Sequence, residues 1–376
     1  MRLKYVLSSI SDTYNFKKNP NVIFLNTGDI LSGKILHSNY SNARDLPGQA
    51  KKSIKNGDIL FSEIRPANKR FALVNVENPE DYVVSTKLMV LRKKNDEFLT
   101  EYIYAFLTQE RVLEQLQTMA ESRSGTFPQI TFTEIEALDI PAVSIDEQRH
   151  IVDILGSIDA KIENNQKIKT ELCDYRYSIF QNKFIISAET DTINFRKISL
   201  SELMDYAGGS QPPASEFINE YKDGYVRFLQ IRDYENDNHI TYIPISKKNK
   251  LCDEWDILIA RYGASLGRIC SGKNGAYNVA LAKILPKKEY YREFLRTYVT
   301  ADDFYKALNS KGERSAQAGF NQGDIDTFLL WFPYDENIVK DFDSIAKNIY
   351  EKILMIEKEN NKLNELKQLY LKKFFG

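Results

Sequence analysis

The centre of the chain reads Ser144-Ile-Asp-Glu-Gln-Arg-His-Ile-Val-Asp-Ile-Leu-Gly-Ser-Ile-Asp-Ala-Lys-Ile162. Its first four residues fit a capping box, in which the serine and glutamate side chains satisfy free N–H groups at the start of a helix. Apolar side chains then recur every three or four residues, which predicts a long helix with one apolar stripe. The predicted stripe consists of Ile151, Ile154 or Leu155, Ile158, Ile162, Ile168, Leu172, Tyr175 and Ile179.

A second stripe of the same kind closes the chain. It consists of Phe342, Ile345, Ile349, Ile353, Ile356, Leu363, Leu366 and Tyr370. Because each stripe needs an apolar partner, we expect the two helices to pack as an antiparallel coiled coil. Asn165 and Asn360 interrupt the stripes, either as buried residues that fix the pairing register or as solvated breaks, and the sequence leaves both interpretations open.

The segments that surround these helices repeat one series of landmarks. The first series is Gly57-Asp-Ile-Leu-Phe-Ser-Glu-Ile-Arg65, Ser124-Gly-Thr-Phe-Pro-Gln-Ile130, Leu138-Asp-Ile-Pro141 and Gln181-Asn-Lys-Phe184. The second is Trp255-Asp-Ile-Leu-Ile-Ala-Arg261, Gln317-Ala-Gly-Phe-Asn-Gln322, Leu330-Trp-Phe-Pro333 and Lys372-Lys-Phe-Phe375. The shared order of the landmarks predicts an internal duplication.

Each copy combines predicted strands with a predicted helix. Short β-branched runs indicate strands at Val22–Leu25, Val83–Val84, Leu88–Leu91 and Val226–Ile231, and helical pieces follow at Glu101–Thr108 and Arg292–Val299. A length of 376 residues suits two such domains. We predict an α+β protein with two mixed α/β domains separated by the two long helices in a pseudo-two-fold repeat. The predicted segments are a domain at 1–143, a helix at 144–186, a domain at 187–334 and a helix at 335–376.

Composition narrows the class of protein. Hydrophobic residues make up 43% and aromatic residues 12% of the chain, which indicates globular cores. No run of about twenty apolar residues and no signal-peptide core is evident, so we expect a cytoplasmic protein. The three cysteines form no CxxC pair and the three histidines lie far apart, so no metal site is expected. A net charge of -1 means that any DNA binding must depend on local patches or partners.

The predicted helices are long enough to space two DNA contacts. A helix of roughly 36 to 40 residues spans about 55 to 60 Å. Half-sites one turn of B-DNA apart are separated by about 34 to 36 Å. The two copies differ in almost every loop residue, so we expect two different half-sites in one asymmetric, bipartite target.

The central segment resembles a known family. Pro141–Leu155, continuing through Ile158–Ile162, is similar to the central conserved region of type I restriction-modification specificity subunits, with its Pro, Glu-Gln and Leu-x-x-Ile-Asp pattern. Gly208-Gly-Ser-Gln-Pro-Pro213 and the following Gly224–Asp233 resemble the opening loop and strand of a target-recognition domain of this family. Two features depart from the family pattern. The first copy lacks a Gly-Gly-x-x-Pro loop. In the second copy Asp335–Asn337 replaces the Asp146–Gln148 of the first.

This resemblance implies a non-catalytic subunit that selects the DNA site. Methyltransferase subunits would modify one adenine in each half, and a restriction and translocase subunit would join the complex. No cofactor would bind this chain, since S-adenosylmethionine (AdoMet), ATP and Mg would belong to those partners. We expect the methyltransferase to dock on exposed faces of the long helices, including Glu147, Gln148, Asp159 and Glu163, and an ordinary charged surface is the alternative.

Candidate DNA contacts lie in loops rich in side chains that can bind base edges and phosphates. One pair of loops follows equivalent predicted strands, and the other pair precedes the conserved helices. The candidates are Arg65, Asn68, Lys69, Arg70, Arg123 and Gln129 in the first copy, and Gln230, Arg232, Arg261, Ser265, Arg268, Arg314, Gln317 and Gln322 in the second. For any one of them an ordinary solvated loop is the alternative, and for Gln230, Arg232 and Asp233 it is a strand end with a salt bridge. For Phe127 and Phe320 we favour a bracing position in the core.

Several motifs of catalysis are missing. Gly263–Arg268 lacks the spacing of a nucleotide-binding phosphate loop, and no Asn-Pro-Pro-Tyr or Asp-Pro-Pro-Tyr motif for adenine methylation occurs. Two other functions are compatible with the duplication: a coiled-coil adaptor that spaces two protein-binding domains, and a metal-dependent nuclease with clustered carboxylates. Within the family, type I and related multisubunit type II systems are not distinguished.

Overall fold

The structure is a computed structural model that describes residues 1–17, 19–123, 126–235, 237, 239–312 and 322–376, except for the side chains of residues 311, 312 and 322. The chain forms two compact units. The first unit consists of Met1–Ile162 with Asn361–Gly376, and the second consists of Glu163–Asn360. The unit boundaries fall inside the two long helices, so each helix contributes one part to each unit. The four-segment division at residues 143, 186 and 334 stays a prediction.

The first unit is built on two four-stranded sheets. Its strands are β1 (Leu7–Ile10), β2 (Asn21–Leu25), β3 (Ile30–Leu31), β4 (Lys34–Ile35), β5 (Ser41–Asn42), β6 (Ala50–Ser53), β7 (Ile59–Ser62), β8 (Phe71–Leu73), β9 (Tyr82–Ser85) and β10 (Leu88–Lys93). One sheet has the order β1-β10-β7-β8 and is antiparallel. The other has the order β5-β2-β9-β6, in which β2 and β9 run parallel. Strands β3 and β4 form a separate hairpin.

Helices cover the antiparallel sheet of the first unit. They are α1 (Thr100–Leu107), α2 (Glu110–Arg123), α3 (Phe132–Glu136) and the first part of the long helix α4 (Ile145–Phe180). The core joins Phe61 of β7 and Tyr102 of α1 to Leu155 of α4. At the start of α4 the Ser144 hydroxyl accepts a hydrogen bond from the backbone N–H of Glu147 at 3.2 Å, as the predicted N-terminal cap requires.

The second unit contains the remaining elements. Helix α4 continues through a π-helical segment at Gln181–Ile186 into α5 (Ser187–Thr190). The strands are β11 (Phe195–Ser199), β12 (Met204–Gly208), β13 (Tyr225–Leu229), β14 (Tyr242–Pro244), β15 (Leu251–Cys252), β16 (Leu258–Ala260), β17 (Ile269–Cys270), β18 (Gly275–Tyr277), β19 (Leu281–Pro286) and β20 (Leu329–Pro333). The helices are α6 (Arg292–Val299), α7 (Asp302–Gly312), α8 (Gln322–Asp326) and the long α9 (Asn337–Phe375), whose last part lies in the first unit.

The sheet topology confirms the internal duplication. The order β12-β19-β16-β17 repeats β1-β10-β7-β8, and β14-β13-β18-β15 repeats β5-β2-β9-β6. The parallel pair recurs as well, because β13 runs parallel to β18 as β2 does to β9. In addition, β11 and β20 form a two-stranded sheet in the second unit. The sequence prediction of two mixed domains with one repeated plan is therefore confirmed.

The phenylalanines that end the repeated landmarks occupy equivalent cores. In the first unit Phe375 lies 5.1 Å, between ring centroids, from Tyr102 of α1. In the second unit Phe184 lies 4.8 Å from Phe294 of α6. Each long helix therefore delivers an aromatic ring to the first turn of the helix that follows the sheets, which explains why this landmark recurs.

The long helices pair antiparallel within each unit. In the second unit Asn165 Nδ2 donates to Asn360 Oδ1 at 2.8 Å, and Lys169 Nζ donates to Glu357 Oε1 at 2.6 Å, so numbers rise along one helix as they fall along the other. In the first unit Lys367 of α9 pairs with Asp159 of α4 at 2.5 Å. The coiled-coil prediction is confirmed. Asn165 is 1% exposed, so its interpretation as a solvated break is wrong.

The predicted stripe of α4 is wrong at two positions. Ile168 and Tyr175 are 38% and 59% exposed. The buried or half-buried line instead runs through polar side chains at Asn165, Lys169 and Arg176. These residues continue the seven-residue spacing from Ile151, Leu155 and Ile158, and a regular spacing keeps them on the seam whatever their polarity.

The described part of the chain has neither a membrane-spanning helix nor a cluster of metal ligands. No helix there has the length and apolar character that crossing a bilayer requires. Among the same residues, no group of three or more His, Cys, Asp or Glu side chains could hold a metal ion.

Candidate nucleic-acid interface

The first candidate loop, Arg65–Arg70, follows strand β7 of the first unit. Its middle is a 3₁₀ turn at Pro66–Asn68, flanked by Arg65 and Lys69, whose φ angles of 44° and 54° are left-handed. Non-glycine residues rarely adopt this conformation, and it persists where surrounding contacts enforce it. The N–H of Arg65 donates to the carbonyl oxygen of Pro128 at 3.2 Å. The loop is thus held against the second candidate segment of the same unit.

The side chains of this loop differ in whether they are free to contact a ligand. The Nη1 atom of Arg70 donates to the carbonyl oxygens of Gly28 and Ile30, both at 3.0 Å, so Arg70 braces the neighbouring turn. Arg65 and Asn68 are exposed, and no side-chain hydrogen bond or ion pair of either is found among the described residues. These two side chains are therefore the best placed in the loop to contact DNA.

Two other basic candidates of the first unit are held in ion pairs. Lys69 lies 3.7 Å from Glu110, and both side chains are largely exposed. Arg123 pairs with Glu134. Burial would raise the pKa of Glu134, but hydrogen bonds from Thr131 together with the charge of Arg123 hold this pKa below its usual range. Glu134 therefore stays ionised at neutral pH, and Arg123 fastens α2 to α3.

The second candidate segment of the first unit contains Phe127 and Gln129. Phe127 is 49% exposed, so it does not lie in the core, and its bracing role stays a prediction. The side-chain oxygen of Gln129 accepts a hydrogen bond from Lys87 Nζ at 3.2 Å. Gln129 therefore lies beside the Arg65 loop and is hydrogen-bonded to the Lys87 ammonium group.

The equivalent loop of the second unit, Arg261–Arg268, follows strand β16. A Cβ atom on Gly267 would lie 3.2 Å from the side chain of Leu308, and its φ of 82° is left-handed, so only glycine suits this turn. Ser265 is half-buried at the end of a 3₁₀ turn. Arg268 Nη1 pairs with Glu235 Oε1 at 2.5 Å. The end of the loop is thus anchored, while its beginning carries Arg261.

Two tyrosine rings hold the Arg261 side chain, and the Nε atom of its guanidinium has no described hydrogen-bond partner. Its central carbon lies 4.9 Å from the ring centroid of Tyr262 and 5.9 Å from that of Tyr206. The Nε atom is buried and makes no hydrogen bond within the described residues. Gly208 leaves room for this side chain, because a Cβ atom there would lie 3.2 Å from Arg261 Nη1. Arg261 is therefore held by aromatic rings with donor capacity left for a ligand.

Two residues beside Arg261 share this property and were missed by the sequence reasoning. The Ser210 hydroxyl and the Asn278 side-chain oxygen are buried without described hydrogen-bond partners. Their backbones pack closely, since a Cβ atom on Gly209 would lie 2.0 Å from the Asn278 carbonyl oxygen. The Gly208–Pro213 motif could have drawn attention to Ser210, whereas no sequence signal marks Asn278. Buried polar atoms without partners are rare, so these three atoms are candidates for contact with a ligand or with water.

The strand end at Gln230 has a structural role. The N–H of Gln230 donates to Asp233 Oδ2 at 2.6 Å in a capping box, and Asp233 is 1% exposed. Asp233 therefore caps the turn, and its base-contact interpretation is wrong. Arg232 is exposed and Gln230 is half-buried, so both stay candidates. Arg314, Gln317 and Phe320 lie outside the described residues, as does the side chain of Gln322.

The partner-docking prediction is wrong for Gln148. This side chain is 0% exposed, where a docking residue must be accessible. Its oxygen accepts from the N–H of Leu99 at 2.9 Å, and its nitrogen donates to the carbonyl oxygens of Glu97 and Val143 at 2.9 and 3.1 Å. Gln148 therefore ties α4 to the segment that precedes α1.

The other three docking candidates lie on exposed helix surface. Glu147 is exposed. Asp159 is 54% exposed and pairs with Lys367, and Glu163 is 60% exposed and pairs with Lys167 one turn along at 3.0 Å. Their accessibility is compatible with docking, and their docking role stays a prediction.

A family model and two curated proteins match the sequence. The model describes a type I restriction modification DNA specificity domain and matches residues 7–173. The specificity subunit of the type I restriction enzyme HindI from Haemophilus influenzae is 42% identical over 230 residues, covering 59% of this chain and 50% of that protein. This chain thus spans about half the length of that relative. The specificity subunit of the enzyme MjaIX from Methanocaldococcus jannaschii is 23% identical over 310 residues, covering 75% of this chain and 69% of that protein.

A solved structure shares the fold. The crystal structure of a type I restriction-modification system S subunit from M. genitalium matches with a TM-score of 0.59 at 14% identity, covering 100% of this chain and 95% of that one. The sequence matches, the shared fold and the duplicated topology agree with one another. Residues 7–173 therefore resemble a type I restriction modification DNA specificity domain, and the chain shares the fold of that S subunit.

Proposed function

We propose that this chain is a DNA reader that recognises an asymmetric, bipartite site for a type I restriction-modification complex. Each unit reads one half of the site. The chain itself catalyses no reaction and works in the cytoplasm, where it meets the host DNA.

One observation carries this proposal: a loop that contains arginine follows the equivalent strand in both copies of one sheet. Strands β7 and β16 occupy equivalent positions, and Arg65 and Arg261 come shortly after them. In the second unit Arg261 is grouped with Ser210 and Asn278, all with buried polar atoms that lack described partners. Base edges in the major groove offer the donors and acceptors that such groups need.

The partners follow from the proposed role. Methyltransferase subunits would bind the exposed helix faces that include Glu147, Asp159 and Glu163, and a restriction and translocase subunit would join them. AdoMet, ATP and Mg would be bound by these partners. Both of the curated relatives described above are named as specificity subunits of type I restriction enzymes, which supports the proposal that this chain works as one subunit of such an enzyme.

The first experiment is single-molecule methylation mapping of the host genome. It compares cells with the gene intact, cells with the gene deleted, and deleted cells that carry the gene on a plasmid. We expect N6-methyladenine to disappear from one asymmetric, bipartite motif on deletion and to return on complementation. If no motif changes while the methyltransferase subunit is expressed, the DNA-reader proposal fails and a coiled-coil adaptor becomes the better explanation.

A further inference from the structure

The second unit contains a cavity of about 280 Å³ that lies apart from the Ser210, Arg261 and Asn278 group. Its walls come from the second half of α4, from α9, from α6 and from the segment around β17. A space of this size holds a small ion together with water. Four cationic side chains line it, namely Lys169, Arg176, Arg268 and Arg296.

Three of these four cations have carboxylate partners. Lys169 pairs with Glu357 at 2.6 Å, and Arg268 pairs with Glu235 at 2.5 Å. Arg296 Nε lies 2.9 Å from Glu293, which is equally buried. Arg296 also donates to the Ser271 hydroxyl at 3.1 Å and to the Trp255 carbonyl oxygen at 2.6 Å. These three charges are compensated within the protein.

Arg176 is the exception. It is 6% exposed, its Nε atom has no hydrogen-bond partner among the described residues, and no ion pair of its guanidinium is found there. Burial lowers its pKa, and the charge of Glu293, which already pairs with Arg296, offsets this only in part. Arginine nevertheless keeps its proton in proteins, so the charge remains. An uncompensated buried charge is costly, and the usual remedy is an opposite charge.

The neutral groups around the cavity cannot supply that charge. Burial raises the pKa of Cys270 to about 12, so its thiol is protonated at neutral pH. Tyr234 adds a second donor, because its buried hydroxyl has only the Cys252 thiol beside it, and a thiol is a weak acceptor. Burial raises the pKa of Tyr234 as well, so this hydroxyl keeps its proton.

We propose that this cavity binds a tetrahedral oxyanion of the phosphate or sulfate class, held by the Arg176 guanidinium with the Tyr234 hydroxyl as a second donor. A guanidinium presents its N–H groups in a planar fork that matches two oxygens of such an ion. The bound anion compensates the one unpaired cation and joins α4 to the segment around β17. Its two donors differ from the Ser210, Arg261 and Asn278 group, and Arg268 is the candidate DNA contact that also lines its wall.

The test measures thermal unfolding of the full chain without DNA, in millimolar sodium phosphate, in sodium sulfate, and in sodium chloride of matched ionic strength. We expect phosphate and sulfate to raise the Tm of the parent chain progressively with concentration, as a ligand of the folded state does. Arg176→Met should lose this shift, and in chloride its Tm should equal or exceed that of the parent because a costly charge is gone. Arg196→Met, an exposed arginine of the same unit outside the cavity, should keep the full shift.

A second measurement covers the case in which Arg176→Met does not fold. The ³¹P line width of inorganic phosphate, titrated with the parent chain and with Tyr234→Phe, reports binding directly. We expect parent binding that sulfate displaces, and an affinity several-fold weaker for Tyr234→Phe. Equal Tm values in phosphate and chloride, an Arg176→Met shift equal to that of the parent, or an unbroadened phosphate signal would each overturn the proposal.

Discussion

A buried polar atom that lacks a hydrogen bond costs a folded protein about 1 to 3 kcal/mol. The second unit keeps such atoms on Ser210 in the Gly208–Pro213 loop, on Arg261 directly after β16, and on Asn278 directly after β18. A DNA base edge would provide the missing partners, and discrimination follows because a wrong base would leave them unpaired. Residues of this kind are visible only once the fold brings them together.

Arg261 allows a sharp test of base reading. Arg261→Lys keeps the charge but loses the planar fork and the stacking on Tyr206 and Tyr262. We expect affinity for the cognate duplex to fall by about 1 to 3 kcal/mol, roughly 5-fold to 150-fold, while affinity for a scrambled duplex changes little. Fluorescence anisotropy with both duplexes measures this, with Arg196→Lys as the control. An equal loss on both duplexes would mean that Arg261 contacts phosphate.

Glu336, directly before α9, allows a prediction of how the stability of the protein depends on pH. Hydrogen bonds from Lys288 at 2.6 and 2.8 Å, and from Tyr290, hold the pKa of Glu336 below its usual range. A carboxylate with a lowered pKa in the folded state stabilises the protein above its unfolded pKa of about 4.3, and this contribution disappears as the pH falls through the lowered value. We therefore expect Glu336→Gln to lower the Tm by a few degrees at neutral pH.

The difference between the parent and Glu336→Gln should shrink once the pH falls below about 4.3. Melting curves across acid and neutral pH measure this difference directly. Glu351→Gln removes an exposed carboxylate from the same helix and should show a small, pH-independent effect. A Glu336→Gln difference that stays constant into acid would refute the assigned role of the charged carboxylate.

At the scale of elements, the sequence predicted the regular parts well. Helix α6 has the predicted bounds, and α1 differs from its prediction by one residue at each end. The predicted strand at Val226–Ile231 ends early, at Leu229, because Gln230 begins a turn capped by Asp233. A capping box formed by Gln and Asp over four residues is hard to distinguish from the end of a strand by composition alone.

The seam of α4 shows why the stripe prediction failed. The prediction followed apolar residues and so chose Ile168 and Tyr175, whereas the structure follows the spacing and buries Asn165 and Arg176. Asn165 is accommodated because Asn360 and Glu359 accept its hydrogen bonds at 2.8 and 2.7 Å. Such partners come from residues nearly two hundred positions away, so no local pattern could reveal them.

Gly156 in α4 predicts a stabilising substitution. A Cβ atom at this position would meet no atom within 4 Å, and the residue is exposed in a helix. Gly156→Ala should therefore raise stability by about 1 kcal/mol, because alanine has the higher helix propensity. Denaturant unfolding followed by circular dichroism measures this gain.

Gly209→Ala is the same substitution at a crowded position, and we expect the opposite effect on stability. Its Cβ atom would lie 2.0 Å from the Asn278 carbonyl oxygen, so this substitution should destabilise the second unit. A destabilising Gly156→Ala would show that the surface of α4 around this residue is not open. A neutral Gly209→Ala would show that the loop can move away from Asn278.

For the whole molecule, the duplication was the most predictive feature of the sequence. Four landmarks in one order predicted two copies, and the sheet orders repeat strand for strand. The copies differ where function is proposed: the second unit has the Gly208–Pro213 loop, and within the described residues the buried polar atoms without partners all lie in that unit. The two units have kept a common framework while their loops diverged, as expected if they read different sequences.

This divergence leads to a prediction about the two halves of the target. Arg65→Ala changes a loop of the first unit and Arg261→Ala a loop of the second, so each substitution should relax the methylation motif in one half only, and in different halves. In host cells that lack the native gene, methylation mapping with each variant should show a motif degenerate at one or two positions on one side of the spacer. The double variant should combine both changes, because contacts that share no partners contribute additively. If either single variant relaxes both halves, the two units do not read separate half-sites.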